Sequence, residues 1–185
     1  MALNAVLTAI QTGVLVFLFP LYLVNRGGVG PEAVGVLTSA SIVGRLVALW
    51  FGGGLSDRWG RTRVLFAGLL GYAAVLSSVP FVTDSARLGV LSLALGATAG
   101  FVAPLPTAVI GDQVLPARRG LAIGWLRTMT DSSQILGPLI MGALADAAGL
   151  SAPFHLGAAL LVAMAWPCRR HASPAHATGV GRDGS

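Results

Sequence analysis

The chain contains no lysine. Its twelve basic residues are all arginine, set against seven acids and three histidines in 185 residues. Charged residues make up 10% of the sequence, where a soluble domain carries about 25%. So little charge does not suit a globular domain surrounded by water. The pI near 11 would point to nucleic acid in a soluble protein. Here the arginines gather in short joins between apolar runs, where they act as topology signals, and no nucleic-acid partner is expected. Cys168 is the only cysteine, which excludes an intrachain disulfide framework and a thiolate metal site. The histidines are His155, His171 and His176, near an outer helix end or in the tail. An intramembrane serine protease needs a histidine base inside its spans, and a zinc protease needs a His-Glu-x-x-His string; neither is present. The expectation is a protein that is not an enzyme and that needs no metal or cofactor.

What the chain does have is apolar length. Hydrophobic residues make up 55% of it and the mean hydropathy is +0.78. Runs of about 20 apolar residues recur, each long enough to cross the hydrocarbon of a bilayer as a helix. The Gly, Pro and charge breaks place six helices at 3–24, 31–54, 62–82, 87–110, 119–145 and 152–167. No arginine precedes the first run and no small-residue cleavage pattern follows it before Arg26, so it reads as a retained span. The fold class is therefore all-α, a polytopic membrane bundle of six transmembrane helices over residues 1–168. A polar tail, 169–185, rich in Gly and Ala, reads as disordered. Arg58, Arg61, Arg63, Arg118, Arg119, Arg169, Arg170 and Arg182 fall on one side of this bundle, Arg26 and Arg87 on the other. Because basic joins stay cytoplasmic, both termini and the tail face the cytoplasm of a bacterial-type cell membrane.

The densest charge lies in Gly53-Gly54-Leu55-Ser56-Asp57-Arg58-Trp59-Gly60-Arg61-Thr62-Arg63. Gly53 lets two helices approach, Gly60 allows a tight turn, and Asp57 stands at a helix end among three arginines. Such a segment would clamp helix ends together with charge. The ordered string Gly-x-Leu-Ser-Asp-Arg-x-Gly-Arg-x-Arg between the second and third helices resembles the signature loop of the major facilitator superfamily of secondary transporters. Pro116-Ala117-Arg118-Arg119-Gly120-Leu121-Ala122-Ile123-Gly124 resembles that family's entry into the fifth helix of a half. Arg127, Asp131, Gly137-Pro138 and Gly142 are similar to that helix in its drug- and metabolite-exporter branch.

The resemblance implies a fold of twelve helices in two six-helix halves, of which this chain is one. It implies a conformational latch made of Gly53, Asp57, Arg58, Gly60 and Arg61, with Asp57 meeting a helix end of the opposite half. It also implies small-molecule export along a path between the halves, so the expected partners are a substrate, the lipid bilayer and a second six-helix half, either a missing one or a second copy. N-terminal halves of the family usually carry an Arg four residues before a Gly in the fourth helix; Ser92 stands there, before Gly96, which favours the C-terminal half. Gln11, Gly13 and Pro20-Leu21-Tyr22-Leu23 point the same way, and Trp166-Pro167-Cys168-Arg169-Arg170 replaces the closing strings of sugar porters.

Several polar residues fall inside the spans. Arg45 lies roughly 14 Å from the cytoplasmic end of the second helix, where a charge costs at least about 2.5 kcal/mol unless it faces a partner or water. Arg127, Thr130, Asp131 and Gln134 repeat at intervals of three and four, so they share one face, and Arg127 can pair with Asp131 within one turn. That stripe reads either as a structural ion pair or as a substrate contact and proton site. Asn4, Thr8, Gln11 and Thr12 form a similar arc on the first helix, although a lone amide such as Gln11 often serves only to bond a neighbouring helix. The transport-path candidates are Arg45, Arg127, Asp131, Gln134 and Gln11. The third and sixth helices are apolar in their middles, and a bend is expected near Pro104. The competing reading is a non-transporting membrane subunit that regulates a partner.

Overall fold

The computed structural model describes residues 2–25, 30–82, 84–105 and 119–171; for residues 2, 52, 53, 55–59, 61, 85, 119 and 167–171 it describes the backbone alone. The first span is built of α1 (Ala2–Ile10), a π-helical segment (Gln11–Leu18) and α2 (Phe19–Asn25). It is followed by α3 (Pro31–Trp59), α4 (Arg61–Ser78) with a terminal 3₁₀ turn (Val79–Phe81), and α5 (Ser85–Val102). The last two helices are α6 (Arg119–Ala148) and α7 (Ala152–His171). Among the described residues there is no strand. The expected bundle of apolar helices is what forms.

Among the described residues, three stretches are long and apolar enough to cross a membrane: Leu3–Asn25, Pro31–Phe51 and Thr62–Phe81. Ala86–Val102 and Ala152–Trp166 are apolar but shorter. At 30 residues α6 is about 45 Å long, more than the roughly 30 Å of hydrocarbon, and it carries Arg127 and Asp131 in its interior.

The second helix does not stop at residue 54 as expected. Helical backbone continues to Trp59, and the join to α4 is one residue, Gly60, at φ +88°. Its carbonyl accepts the Arg63 and Val64 N–H groups at 3.1 Å, which starts α4. A left-handed φ of this kind suits glycine because no Cβ collides with the backbone. The extra turn carries the backbone of Asp57 past the apolar Pro31–Phe51 stretch, so the sharp corner lies outside the residues apolar enough to cross a membrane. At the other expected break, α5 ends at Val102 and the chain turns at Ala103–Pro104.

Glycines pair the helices. A Cβ on Gly96 would overlap the backbone of Ser41, and one on Gly44 would overlap the Leu93 carbonyl, so α3 and α5 touch backbone to backbone. A Cβ on Gly13 would stand 2.6 Å from the Gly137 carbonyl oxygen, and one on Gly137 would stand 2.6 Å from that of Ala9, which joins the first span to α6 in the same way. Small residues are the usual means of close helix approach in lipid, where the hydrophobic effect does not distinguish helix from tail. The third pair, α4 with α7, uses larger side chains: Leu69, Tyr72 and Leu76 are buried with Phe154 and Leu161. Tyr22 from the first span packs edge-on to Phe154 at 5.3 Å and donates to the Pro80 carbonyl at 3.2 Å.

The π segment precedes Pro20. Proline has no N–H to donate and its ring crowds the carbonyl one turn back, and the wider turn is realised as a bond from the Phe19 N–H to the Val14 carbonyl. The spans differ sharply in burial. In the apolar stretch of the first span 56% of residues are buried, but in that of α3 only 17%, so α3 lies at the margin of the bundle.

Candidate functional site

A cavity of about 470 Å³ opens on the side of the bundle where α3 and α6 flank the first span. That volume falls in the range of small-molecule sites. The first span lines it with Asn4, Leu7, Thr8, Gln11, Thr12 and Val16; α3 contributes Arg45, and Ala103 lies at the end of α5. From α6 come Ile123, Leu126, Arg127, Thr130, Asp131 and Gln134. Among the described residues no side chain of α4 or α7 reaches it. All five transport-path candidates thus line one cavity, although they come from three different spans.

Each polar group has a physical reason for its position. Thr8 and Thr12 donate to the carbonyls of Asn4 and Thr8 at 2.8 Å, so their hydroxyl protons are satisfied within their own helix. Asn4 Nδ2 donates to Thr130 Oγ1 at 2.9 Å and ties the cavity end of α1 to α6. Thr130 in turn donates to the Leu126 carbonyl at 2.8 Å. Gln11 is buried, and its Nε2 donates to the Ala99 carbonyl of α5 at 3.1 Å. That carbonyl also accepts the Ala103 N–H at 3.0 Å, so the Gln11 amide braces the point where α5 ends. The helix-bonding use of an amide and a place on the cavity wall coexist in this one residue.

Arg45 owes its position to Gly100. A Cβ there would stand 2.5 Å from the Arg45 carbonyl oxygen and 2.9 Å from its Cα, so only glycine lets α5 lie flat against α3 at this level. Arg45 is half-buried, whereas Arg127, Asp131 and Gln134 are exposed on the open side. Pro138, inside α6, removes the N–H that the Gln134 carbonyl would otherwise accept.

The sequence permits Arg127 and Asp131 to pair, but the structure does not close that pair. Among the described residues no carboxylate lies within 4.0 Å of Arg45 or Arg127. An ion pair does form at the opposite end of the bundle, exposed, between Arg87 Nε and Asp84 Oδ2 at 3.6 Å. The cavity therefore holds two guanidinium groups and one carboxylate. Such an assembly has neither a nucleophile–base pair nor a metal-binding group among the described residues, and what it offers is a polar surface within an apolar span.

One buried polar group escaped the sequence reading. The Tyr72 hydroxyl is wholly buried and has no hydrogen-bond partner among the described residues. A tyrosine in an apolar run reads as core, and no local pattern shows whether its hydroxyl finds an acceptor. The apolar wall of the cavity, Leu7, Val16, Ile123 and Leu126, was equally illegible for the same reason. The side chains of Gly53, Asp57, Arg58 and Arg61 lie outside the described residues; what is placed is their backbone, with Asp57 in the last turn of α3 and Arg61 opening α4.

Both sides of the cavity expose apolar residues. On α3, Val43, Leu46, Val47, Trp50 and Phe51 are exposed, Trp50 at 89%; on α6, Leu121, Ile123, Ile135, Leu136 and Leu139 are exposed. Exposed apolar side chains cost nothing against lipid tails. The charges of the cavity between them do.

Comparison with known proteins agrees with this architecture. The family model described as Major Facilitator Superfamily matches residues 1–182. A protein of Proteus mirabilis (strain HI4320) called Multidrug resistance protein MdtG is 38% identical over 146 residues, covering 77% of this chain and 36% of that protein. Proteins of the same name from Rahnella sp. (strain Y9602) and Serratia proteamaculans (strain 568) are each 33% identical, over 84% and 86% of this chain and 38% and 40% of their own lengths. The chain thus spans well under half the length of these curated relatives. With apolar helices in a bundle and a family match over nearly its whole length, the chain is an integral membrane protein that belongs to the Major Facilitator Superfamily.

Proposed function

We propose that this chain forms one six-helix half of a secondary exporter of small molecules and that the cavity is its share of the substrate path. The observation that carries the reading is the placement of Arg45, Arg127, Asp131 and Gln134 on one open face between two apolar helix faces. Charges inside a membrane span are tolerated when they face a water-filled path or a partner. A second six-helix half seated against α3 and α6 would turn the open cavity into a path enclosed on two sides, near the bilayer midplane. The relatives' name, multidrug resistance protein, fits export of compounds that are not natural nutrients. The reaction is movement, not bond chemistry, so the chain acts without a catalytic residue or cofactor.

Two finer points belong to the same proposal. The chain corresponds to the C-terminal half: Ser92 is completely buried and returns its hydroxyl to the Leu88 carbonyl at 2.7 Å, at the position where N-terminal halves usually carry arginine. Both ends of the chain and the Gly60 corner face the cytoplasm of the cell membrane, a reading supported by the arginine distribution.

The test is flux in membrane vesicles from cells that produce the chain together with its second half. Asp131→Asn and Arg45→Gln should each abolish efflux of a fluorescent dye or uncouple it from the proton gradient, with the protein still inserted. Unchanged efflux and unchanged pH dependence in both variants would reject the path and favour the non-transporting subunit.

A further inference from the structure

We infer that Tyr72 is a positioning residue for Arg45: when the open side of the cavity is covered and water leaves it, the Arg45 guanidinium turns into the bundle and donates to the Tyr72 hydroxyl. The contact stands on side chains of α3, α4 and α5, while its use in transport rests on the proposed substrate path.

Tyr72 lies within α4 and is completely buried. Its ring fills space that a phenylalanine would fill as well, so what distinguishes it is the hydroxyl. That group has no hydrogen-bond partner among the described residues. A phenolic oxygen carries one proton to give and lone pairs to receive, and burying it unbonded forfeits the hydration it had in water. A donor that arrives there gains a bond without displacing another. Arg45 is the donor that the fold supplies. α5 packs against α3 and α4 with two different faces: a Cβ on Gly71 would lie 4.0 Å from the Thr98 methyl, and two residues further along α5 Gly100 faces Arg45. A Cβ on Gly100 would stand 2.9 Å from Arg45 Cγ, so the stem of the arginine lies across the notch that this glycine leaves in α5. Among the described residues Arg45 is also the charged group that acts on the Tyr72 hydroxyl. The arginine in turn needs an acceptor. It is half-buried, and among the described residues no carboxylate lies within 4.0 Å of it. While the cavity is open, water serves its five N–H groups. Once the open side is covered, a guanidinium inside an apolar span is costly unless a polar group takes it. Asp131, on the α6 side of the cavity, is the competing acceptor. Arg45 therefore has two positions, forward to the acid and back to the hydroxyl, and the second withdraws its charge from the path as the path closes.

The chain has two tyrosines, so Tyr22→Phe leaves Tyr72 as the only one. That full chain, isotopically labelled at tyrosine Cζ and at the arginine nitrogens, is placed in proteoliposomes, where lipid tails cover the open side. The carbon–nitrogen dipolar coupling is then measured by solid-state magnetic resonance. Tyr72 Cζ should couple to a guanidinium nitrogen at about 4 Å, the separation that a direct bond of ordinary length gives. The coupling should vanish in Arg45→Gln and persist in Arg127→Gln. Absence of coupling overturns the contact, and so does coupling that survives Arg45→Gln, which would assign the hydroxyl to another arginine. A second arm tests the role. In vesicles from cells that produce the chain with its second half, Tyr72→Phe should lower the maximal rate of dye efflux roughly fivefold and leave KM within about twofold, because the bond it removes forms only after the path closes. A residue that merely packs would leave both unchanged; that result, or a rise in KM alone, overturns the positioning role even where the coupling is found. If the unaltered pair shows no efflux, the transport path fails and the role fails with it, while the contact is decided by the coupling alone.

Discussion

Replacing Gly96 or Gly100 by alanine tests whether the α3–α5 contact positions the cavity. A new Cβ at Gly100 would meet the Arg45 carbonyl oxygen at 2.5 Å, roughly an ångström inside ordinary contact, and one at Gly96 would overlap Ser41 backbone atoms. These are backbone atoms of a facing helix, so no rotamer change relieves them; α3 and α5 have to separate. Overpacking of this kind costs about 1–3 kcal/mol. At roughly 2–4 °C per kcal/mol for a chain of this size, the unfolding midpoint in detergent should fall by several degrees. Gly35 and Gly124 supply the controls, because a Cβ at either meets nothing within 4 Å. Alanine there removes a helix-weakening glycine and should be neutral or stabilising by up to about 1 kcal/mol. The Gly100 variant should also lose dye efflux beyond its loss of stability, since the displaced helix carries Arg45. If Gly96→Ala and Gly100→Ala melt with Gly35→Ala and Gly124→Ala, the close helix contact is wrong and the placement of Arg45 falls with it.

Three further outcomes are expected. Gln11→Leu removes the N–H given to Ala99 but leaves that carbonyl bonded to Ala103, so the loss should be only about 0.6–1.7 kcal/mol, read as a fall of a few degrees in midpoint. Tyr72→Phe deletes a buried hydroxyl that has no partner among the described residues, and the midpoint should hold or rise; a fall of several degrees would mean that the hydroxyl is bonded in the protein as it exists in the membrane. If Asp57 serves the latch expected from the family resemblance, Asp57→Asn should lower dye efflux by tenfold or more in vesicles while membrane insertion, followed by protease protection, stays intact; normal flux would reject that role.

The stripe Arg127, Thr130, Asp131, Gln134 was legible because all four share one helix, where spacing of three and four places side chains on one face. Their shared cavity with Arg45 and Gln11 was not. Residues 45 and 127 stand on separate spans, and no periodicity within either span states which faces meet. The same division applies inside the stripe: spacing allows Arg127 to reach Asp131, but side-chain rotation decides whether it does, and here it does not. The end of α3 shows the converse. Residues 55–59 read as a charged loop because polarity rises there, yet polarity marks the edge of the hydrocarbon, not the end of helical bonding, and helix continues to the first left-handed residue at Gly60.

By itself the sequence determined the class of the protein, its apolar spans, the sidedness expected from its arginines, and the string around Asp57 that resembles a family signature. All of these depend on local composition, length or order along the chain. Tertiary structure decided the pairing of the first span with α6, α3 with α5 and α4 with α7, and therefore which polar faces converge. It also decided that the Gln11 amide bonds Ala99 and that, among the described residues, the Tyr72 hydroxyl finds no partner and two arginines enter one cavity beside a single acid. The physical reason is that these contacts depend on where glycines allow two backbones to touch, and a glycine's partner lies on a distant part of the chain.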